Sequence, residues 1–331
     1  MKRLVFSKDN KMIDNITLIK NNLTDSEKLQ IINKNNLQCL VNSSNNLKIY
    51  DNAKTKNLTG GIHIKIQENK LRIEGSVHKY FHYLQFKTLE NYTVFTMPDF
   101  TETIKKLFSN FSIPLSDFLV INYEIGLNVF VDENPIKYLE KAVSVGNIDG
   151  TQRKLYINPK HKDERFLTTQ MHRDNTLVFR IYDKDFERRD KGKKTAISNC
   201  LRIETKRTRQ KNLSFSEFSN HANLLLMQNK FFAEWNKLNF DRDIVAPAGT
   251  YQSKKDLAKR ILIDGANVVL KELQNNTELT PKIYRTSKEF VKKWDSIKFD
   301  FKLQKTDIEY SWAYSYSIAI QKVTDSNFNI L

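Results

Sequence analysis

The 331-residue sequence predicts an α+β fold: a mixed, largely antiparallel sheet with helices on one face and a polar face left open, followed by a helical C-terminal region. Two patterns carry this expectation. Runs in which apolar and polar residues alternate recur up to residue 212, and beyond Leu213 the apolar spacing turns helical behind capping signals. Hydrophobic residues make up 40% of the chain, enough to bury a sizeable core.

Along the chain, residues 1–60 are rich in Asn and Lys and show one helix, opened by the capping box Thr24 to Glu27 and continued by Leu29, Ile31 and Ile32. No chemistry shows in this segment. From Gly61 the alternation predicts a hairpin of two strands, GIHIKI and LRIEGSVHKYFHYLQF, around the polar turn QENK. Asp99, with Glu102 in the reciprocal position, caps a helix carrying Ile104 and Leu107. FLVINYEIGLNVFV, Phe118 to Val131, is the longest strand signal. Asn134 and Pro135 open a further helix, since Pro is tolerated at the first helical position. RKLYIN, RFLTTQM, TLVFRIYDK and CLRIETKR read as strands, and capping boxes at Ser214–Glu217, Ser253–Asp256 and Thr286–Glu289 begin helices. The expected division is an N-terminal segment 1–60, a sheet domain 61–212 and a helical domain 213–331.

Lys and Arg total 54 against 38 Asp and Glu, a formal charge of +16 spread along the chain. Such a balance points to a polyanionic partner: DNA, RNA or an anionic membrane surface, with nucleic acid favoured. The sequence holds no apolar run of membrane-spanning length, and its start turns polar quickly, so the expectation is a cytoplasmic protein with no membrane partner. Cys39 and Cys200 are the only cysteines, too few for a disulfide framework. Any metal would be held by His and carboxylate.

Strand parity sorts the polar residues into faces, because alternate side chains of a strand share one side. His63, Lys65 and Gln67 share a side; so do Ser76, His78, Tyr80 and His82 if that run is a strand. Glu124 and Asn128 join Gly126; Arg180 and Lys184 flank Tyr182; Arg202 and Lys206 flank Glu204. Any antiparallel sheet with one wet face would show such alternation. The residue types, several histidines, two glutamates and a tyrosine between cations, favour a site. Tyrosine needs a nearby cation to act as a phenolate nucleophile, and Arg180 and Lys184 supply one. A phosphodiester under attack would call for a hard divalent ion, with His78 and Glu124 the leading ligands and His63, His82 or Glu204 as additions. Glu204 equally suits ion pairing with Arg202 and Lys206. The run KRTRQK, with Lys206, Arg207 and Arg209, suits phosphate contacts or a solvated edge.

The ordered series GSVHKYF, YEIGLNVFV, LVFRIYDKDFE and CLRIETKRTR resembles the rolling-circle replication initiators of the filamentous-phage gene II and gene X type, over roughly residues 60 to 215. The resemblance implies a site-specific DNA nickase and strand transferase of the HUH endonuclease class, with a catalytic tyrosine and Mg²⁺ or Mn²⁺. By motif, the nucleophile falls on Tyr182, with Lys184 and Glu187 completing a Tyr-x-Lys-x-x-Glu pattern. The metal ligands fall on His78 and Glu124, with His63 the further candidate, and the Arg-x-Glu strand on Arg202 and Glu204. Arg180, Arg202, Lys206, Arg207 and Arg209 would contact DNA. The sequence departs from the class in having no His-hydrophobic-His triplet. Expected partners are a single-stranded or melted origin in a bacterial host cell, and the host helicase and polymerase. The C-terminal helices would read duplex DNA or contact host proteins. The alternative is a non-enzymatic initiator or regulator that only binds the origin.

Overall fold

The computed structural model describes residues 13–41, 46–91, 95, 97–109, 111, 113–146, 153–169, 176–192 and 198–328. The strands in chain order are β1 (Ile13–Lys20), β2 (Gln38–Val41), β3 (Lys48–Asp51), β4 (His63–Gln67), β5 (Lys70–Ser76), β6 (Leu119–Phe130), β7 (Ala142–Val145), β8 (Arg153–Ile157), β9 (Phe166–Thr169), β10 (Leu177–Asp183), β11 (Cys200–Arg207), β12 (Leu238–Phe240), β13 (Asp243–Val245) and β14 (Lys302–Gln304). The helices are α1 (Asp25–Lys34), α2 (Val77–Phe86), α3 (Met97–Phe108), α4 (Pro135–Lys141), α5 (Lys184–Asp190), α6 (Phe215–Phe218), α7 (His221–Trp235), α8 (Gln252–Asp264), α9 (Ala266–Asn275), α10 (Pro281–Lys292), α11 (Trp294–Ile297) and α12 (Asp307–Phe328). The first twelve strands form one sheet in the order β12-β7-β8-β9-β10-β11-β6-β1-β5-β4-β3-β2. Its pairings are antiparallel, so the expected α+β architecture holds, with a helical C-terminal region.

Three features of the expected layout are corrected. The described part of the segment 1–60 holds strands as well as the expected helix: β1 lies in the middle of the sheet between β5 and β6, and β2 and β3 close one edge. In IDNITLIK the β-branched residues that favour a strand are diluted by Asn and Lys, which masked the pattern. The run 76–86 is a helix rather than a strand. Val77, Tyr80, Phe81 and Leu84 also fit the i, i+3, i+4, i+7 spacing, and Ser76 decides between the periods by accepting the Lys79 N–H as N-cap. Finally, the core does not divide at residue 212. Phe215, Phe218, Phe231, Phe232 and Trp235 of α6 and α7 bury against the sheet, as does Trp312 of α12. A second apolar cluster, Leu257, Ala258, Ile261, Val269, Leu273, Val291, Trp294 and Phe301, joins α8–α11 and the β13–β14 ribbon.

Caps explain most helix starts. The boxes at Thr24 and Ser214 form as expected, and Asn134 accepts the Ile136 N–H ahead of Pro135. Asp99 instead sits inside the first turn of α3. Ser253 lies within α8, and Thr286 lies within α10, whose N-cap is Thr280. Sequence boxes inside a helix are silent, because the N–H groups they would accept are already bonded to carbonyls.

The sheet's apolar side is covered by helices: Tyr123 packs on Phe218 with ring centroids 5.3 Å apart, and Phe108 on Phe118 at 4.9 Å. Among the described residues, no helix is long and apolar enough to cross a membrane. Neither Cys39 nor Cys200 is in a disulfide.

Candidate active site on the polar face

The register puts Glu124 opposite Lys206, Gly126 opposite Glu204 and Asn128 opposite Arg202 across β6 and β11; Arg202 and Glu204 in turn face Tyr182 and Arg180 on β10. The parity reading therefore holds for β6, β10 and β11. These residues share the polar side, and a cleft of about 240 Å³ opens there, lined among others by Asp14, Glu124, Arg180, Tyr182, Lys184, Glu187 and Glu204.

Arg202 organises the floor. It is fully buried, and its guanidinium binds Asp14 at 2.5 Å, Glu204 at 3.1 Å and Asn128 at 3.0 Å. The group lies flat over Gly126: a Cβ there would stand 2.3 Å from an Arg202 nitrogen. Glycine at 126 is thus a matter of close approach. The expectation that Arg202 contacts DNA is corrected, because every side of its fork is occupied by protein. Burial works against its charge, but Asp14 and Glu204 more than compensate and raise its affinity for the proton.

Asp14 was not foreseen. The register of β1 slips between Ile13 and Asn15, so Asp14 is the extra residue of a bulge, a device that re-aims a side chain. Ser76 donates to it at 2.5 Å and Asn91 at 3.2 Å. Burial alone would raise its pKa, yet Arg202, His78, Ser76 and Lys79 overrule that and hold it well below the usual carboxylate range.

Tyr182 is half-buried at the end of β10, stacked on Phe166 with centroids 5.5 Å apart, and donates its hydroxyl to Glu204 Oε1 at 2.9 Å. Burial first, then the charges of Glu204 and Glu187, push its pKa up, so the resting residue is a neutral phenol. Glu204 stays ionised because Arg202 and Arg180 outweigh its burial. Glu124 is the reverse: burial, then Glu204, push it to about 8. Arg180 stands between them, 3.5 Å from Glu124 and 3.6 Å from Glu204, while Lys206 approaches Glu124 at 3.9 Å.

Lys184 is not on the strand with Tyr182, as parity assumed. Asp183 accepts the Phe186 N–H and turns the chain into α5, of which Lys184 is the first residue. It still enters the cleft, buried, with its ammonium 2.6 Å from Glu187 and 5.8 Å from the centre of the Tyr182 ring. Burial lowers the lysine's pKa, while Lys184 and Lys191 overcome the burial of Glu187 and hold it at about 2.

The expected metal trio does not assemble. His63 is on β4, separated from β6 by β1 and β5, and its Nδ1 meets Glu74 at 3.2 Å. His78 rides on α2, buried and stacked on Phe95 at 4.9 Å. His82, on the same helix, contacts the Thr88 carbonyl at 3.1 Å. Among the described residues, no group of three His, Cys, Asp or Glu side chains is arranged to hold an ion. Of the other expected DNA contacts, Arg207 projects from β11 to the helix-covered side, beside Tyr123 and Phe231, because it has the opposite parity to Lys206. Arg209 is exposed in the following loop.

Sequence reasoning also missed Lys79, Lys160 and His161, which line the cleft. His161 is exposed, with its ring stacked on Phe166 at 3.9 Å and 9°. Lys160 follows an Asx turn at Asn158, visible in the sequence only as Asn-Pro-Lys. The chain matches no protein-family model and no curated protein.

Proposed function

We propose that the chain is a rolling-circle replication initiator, a nickase and strand transferase that attacks a DNA phosphodiester with Tyr182. The observation that carries the reading is the Tyr182–Glu204 hydrogen bond at 2.9 Å, in an open cleft rimmed by Lys79 and Lys160. A general base must lie within about 2.6–3.2 Å of the proton it takes. Glu204, ionised and in place, takes the phenol proton as the Tyr182 oxygen bonds to phosphorus. The bond from phosphorus to the 3′ oxygen breaks, and that oxygen takes a proton from solvent, leaving a 5′-phosphotyrosyl link and a 3′-hydroxyl primer. Reversal by a second 3′-hydroxyl, with Glu204 returning the proton, rejoins the displaced strand. Lys184 stands over the ring to offset the phenolate charge, and Glu187 positions it.

Mg²⁺ or Mn²⁺ fits a pair of donors rather than the expected trio. Glu124 holds its proton because of burial first and the charge of Glu204 second, and a hard cation offsets both. Mg²⁺ commonly takes one or two carboxylates and completes its set with water and substrate phosphate. Glu124 and Glu204 would hold it, and when bound it would polarise the scissile phosphate.

Purified protein incubated with single-stranded origin-region DNA and Mg²⁺ or Mn²⁺ should give a covalent adduct that survives denaturing electrophoresis and is absent for Tyr182→Phe. An adduct formed by Tyr182→Phe removes the nucleophile assignment. Tight origin binding by the wild type with no adduct on either strand would favour the non-enzymatic origin binder.

A further inference from the structure

The second apolar cluster makes residues 243–304 a small unit of their own: α8, α9 and α10 pack around Leu257, Ala258, Ile261, Val269, Leu273, Val291 and Trp294, with the β13–β14 ribbon joining its ends. Its cations fall into two populations. Among the described residues Lys254 and Lys255 of α8 make no ion pair, while others are paired: Lys259 with Asp241 at 2.7 Å, Arg260 with Glu272, and Lys298 with Asp295 at 3.1 Å. On α10 they are not. At 100° per residue, Lys282, Arg285, Lys288, Lys292 and Lys293 share one side of the helix with Glu289 and Thr286. The opposite side carries Phe290, Val291 and Trp294 into the cluster. Lys282, Arg285, Lys292 and Lys293 are exposed, and Lys288 leans over the Tyr284 ring at 5.3 Å. Among the described residues none of the five makes an ion pair, although Glu289 lies four residues from both Arg285 and Lys293.

From this we infer that the exposed face of α10 is a duplex-DNA site, separate from the cleft and independent of the nicking chemistry. Its partner must be a polyanion, because a dense row of unneutralised cations is costly to hold together and is relieved by phosphates. An anionic membrane fits poorly, since an interfacial helix needs a broad free apolar side and that of α10, Ile283 apart, is spent on α8 and α9. A helix is about 10–12 Å across, which matches a B-form major groove about 12 Å wide, whereas the deep, narrow groove of duplex RNA does not admit it. From Lys282 to Lys293 the helix rises about 16 Å, enough to reach phosphates on both rims. The contacts assigned are to the backbone, so binding should tolerate any sequence.

The test is fluorescence anisotropy of the full chain with a labelled duplex of random sequence, between about 50 and 200 mM salt. Combined Lys282→Ala, Arg285→Ala, Lys292→Ala and Lys293→Ala should flatten the slope of log K against log salt by about 3 to 4, near 0.9 per lost contact, and weaken binding about tenfold or more at the lowest salt. Thermal unfolding of the same variant checks its fold, and Glu289→Lys, which adds a cation to the face, should steepen the slope by about 0.9. Wild-type affinity and slope in the combined variant overturn the inference. So does a Glu289→Lys slope that stays put, or tighter binding of an RNA duplex than of the DNA. Adduct formation on single-stranded DNA reads the cleft separately. Its failure beside α10-dependent duplex binding removes the nickase and leaves this site standing.

Discussion

The cations at the heart of the cleft and those on α10 have the same formal charge and opposite circumstances. Arg202, Arg180 and Lys184 are each held by carboxylates 2.5–3.6 Å away, whereas the α10 cations, Lys288 apart, are exposed and among the described residues make no ion pair. The difference teaches that +16 is not one electrostatic patch. In the cleft, positive charge sets protonation states and side-chain positions; on α10 it remains free to meet a partner.

The largest effect should come from the residue the cleft cations surround. Tyr182→Phe is expected to abolish covalent attachment while costing only about 1 kcal/mol of stability for the lost hydrogen bond, read by adduct gels and urea unfolding. Arg202→Met should be next, at about 3–5 kcal/mol, because Asp14 and Glu204 would be left as buried charges without their partner. A loss near zero would mean that the buried network is no more demanding than the α10 surface. Gly126→Ala should cost about 1–3 kcal/mol by pressing on the same guanidinium.

Smaller again is the pH dependence of Glu124. Its folded pKa of about 8 lies above its ordinary value of 4.5, so the folded state holds a proton that the unfolded chain releases in between. Stability from this group is present below about pH 4.5 and is lost as pH rises toward 8. Glu124→Gln should flatten that fall, and Tm measured across this range would show it; an unaltered slope would place the proton elsewhere. The smallest change belongs to α10, where alanine in place of any one exposed cation should alter stability by no more than about 0.5 kcal/mol.

Much of the polar face was legible in the sequence, because a strand's period of two survives any packing. Glu124, Tyr182 and Glu204 share a side for that reason alone. Parity gives the side but not the depth, so Arg202 read as a DNA contact although it lies beneath the floor. Asp14 was hidden because β1 was not read as a strand, and its bulge would have defeated parity even then. The run from Val77 to Phe86 satisfied two periods at once, and only the Ser76 cap, a three-dimensional choice, separated them. His63 and His78 were drawn into one site by treating that run as a strand. On α10 the cation face was not read, because the box at Thr286 started the helix after Lys282 and Arg285, and whether acids from other elements neutralise these cations depends on the tertiary arrangement.

The guanidinium of Arg202 occupies the space a side chain at 126 would fill, so the two positions behave as one residue shared between neighbouring strands. Neither can drift alone. A chain that gained a methyl at 126 would have to shorten 202 in compensation, and a chain that shortened 202 would open a hole over 126. Aligned relatives should therefore show these two columns changing together, with glycine opposite arginine and a larger residue opposite a smaller one.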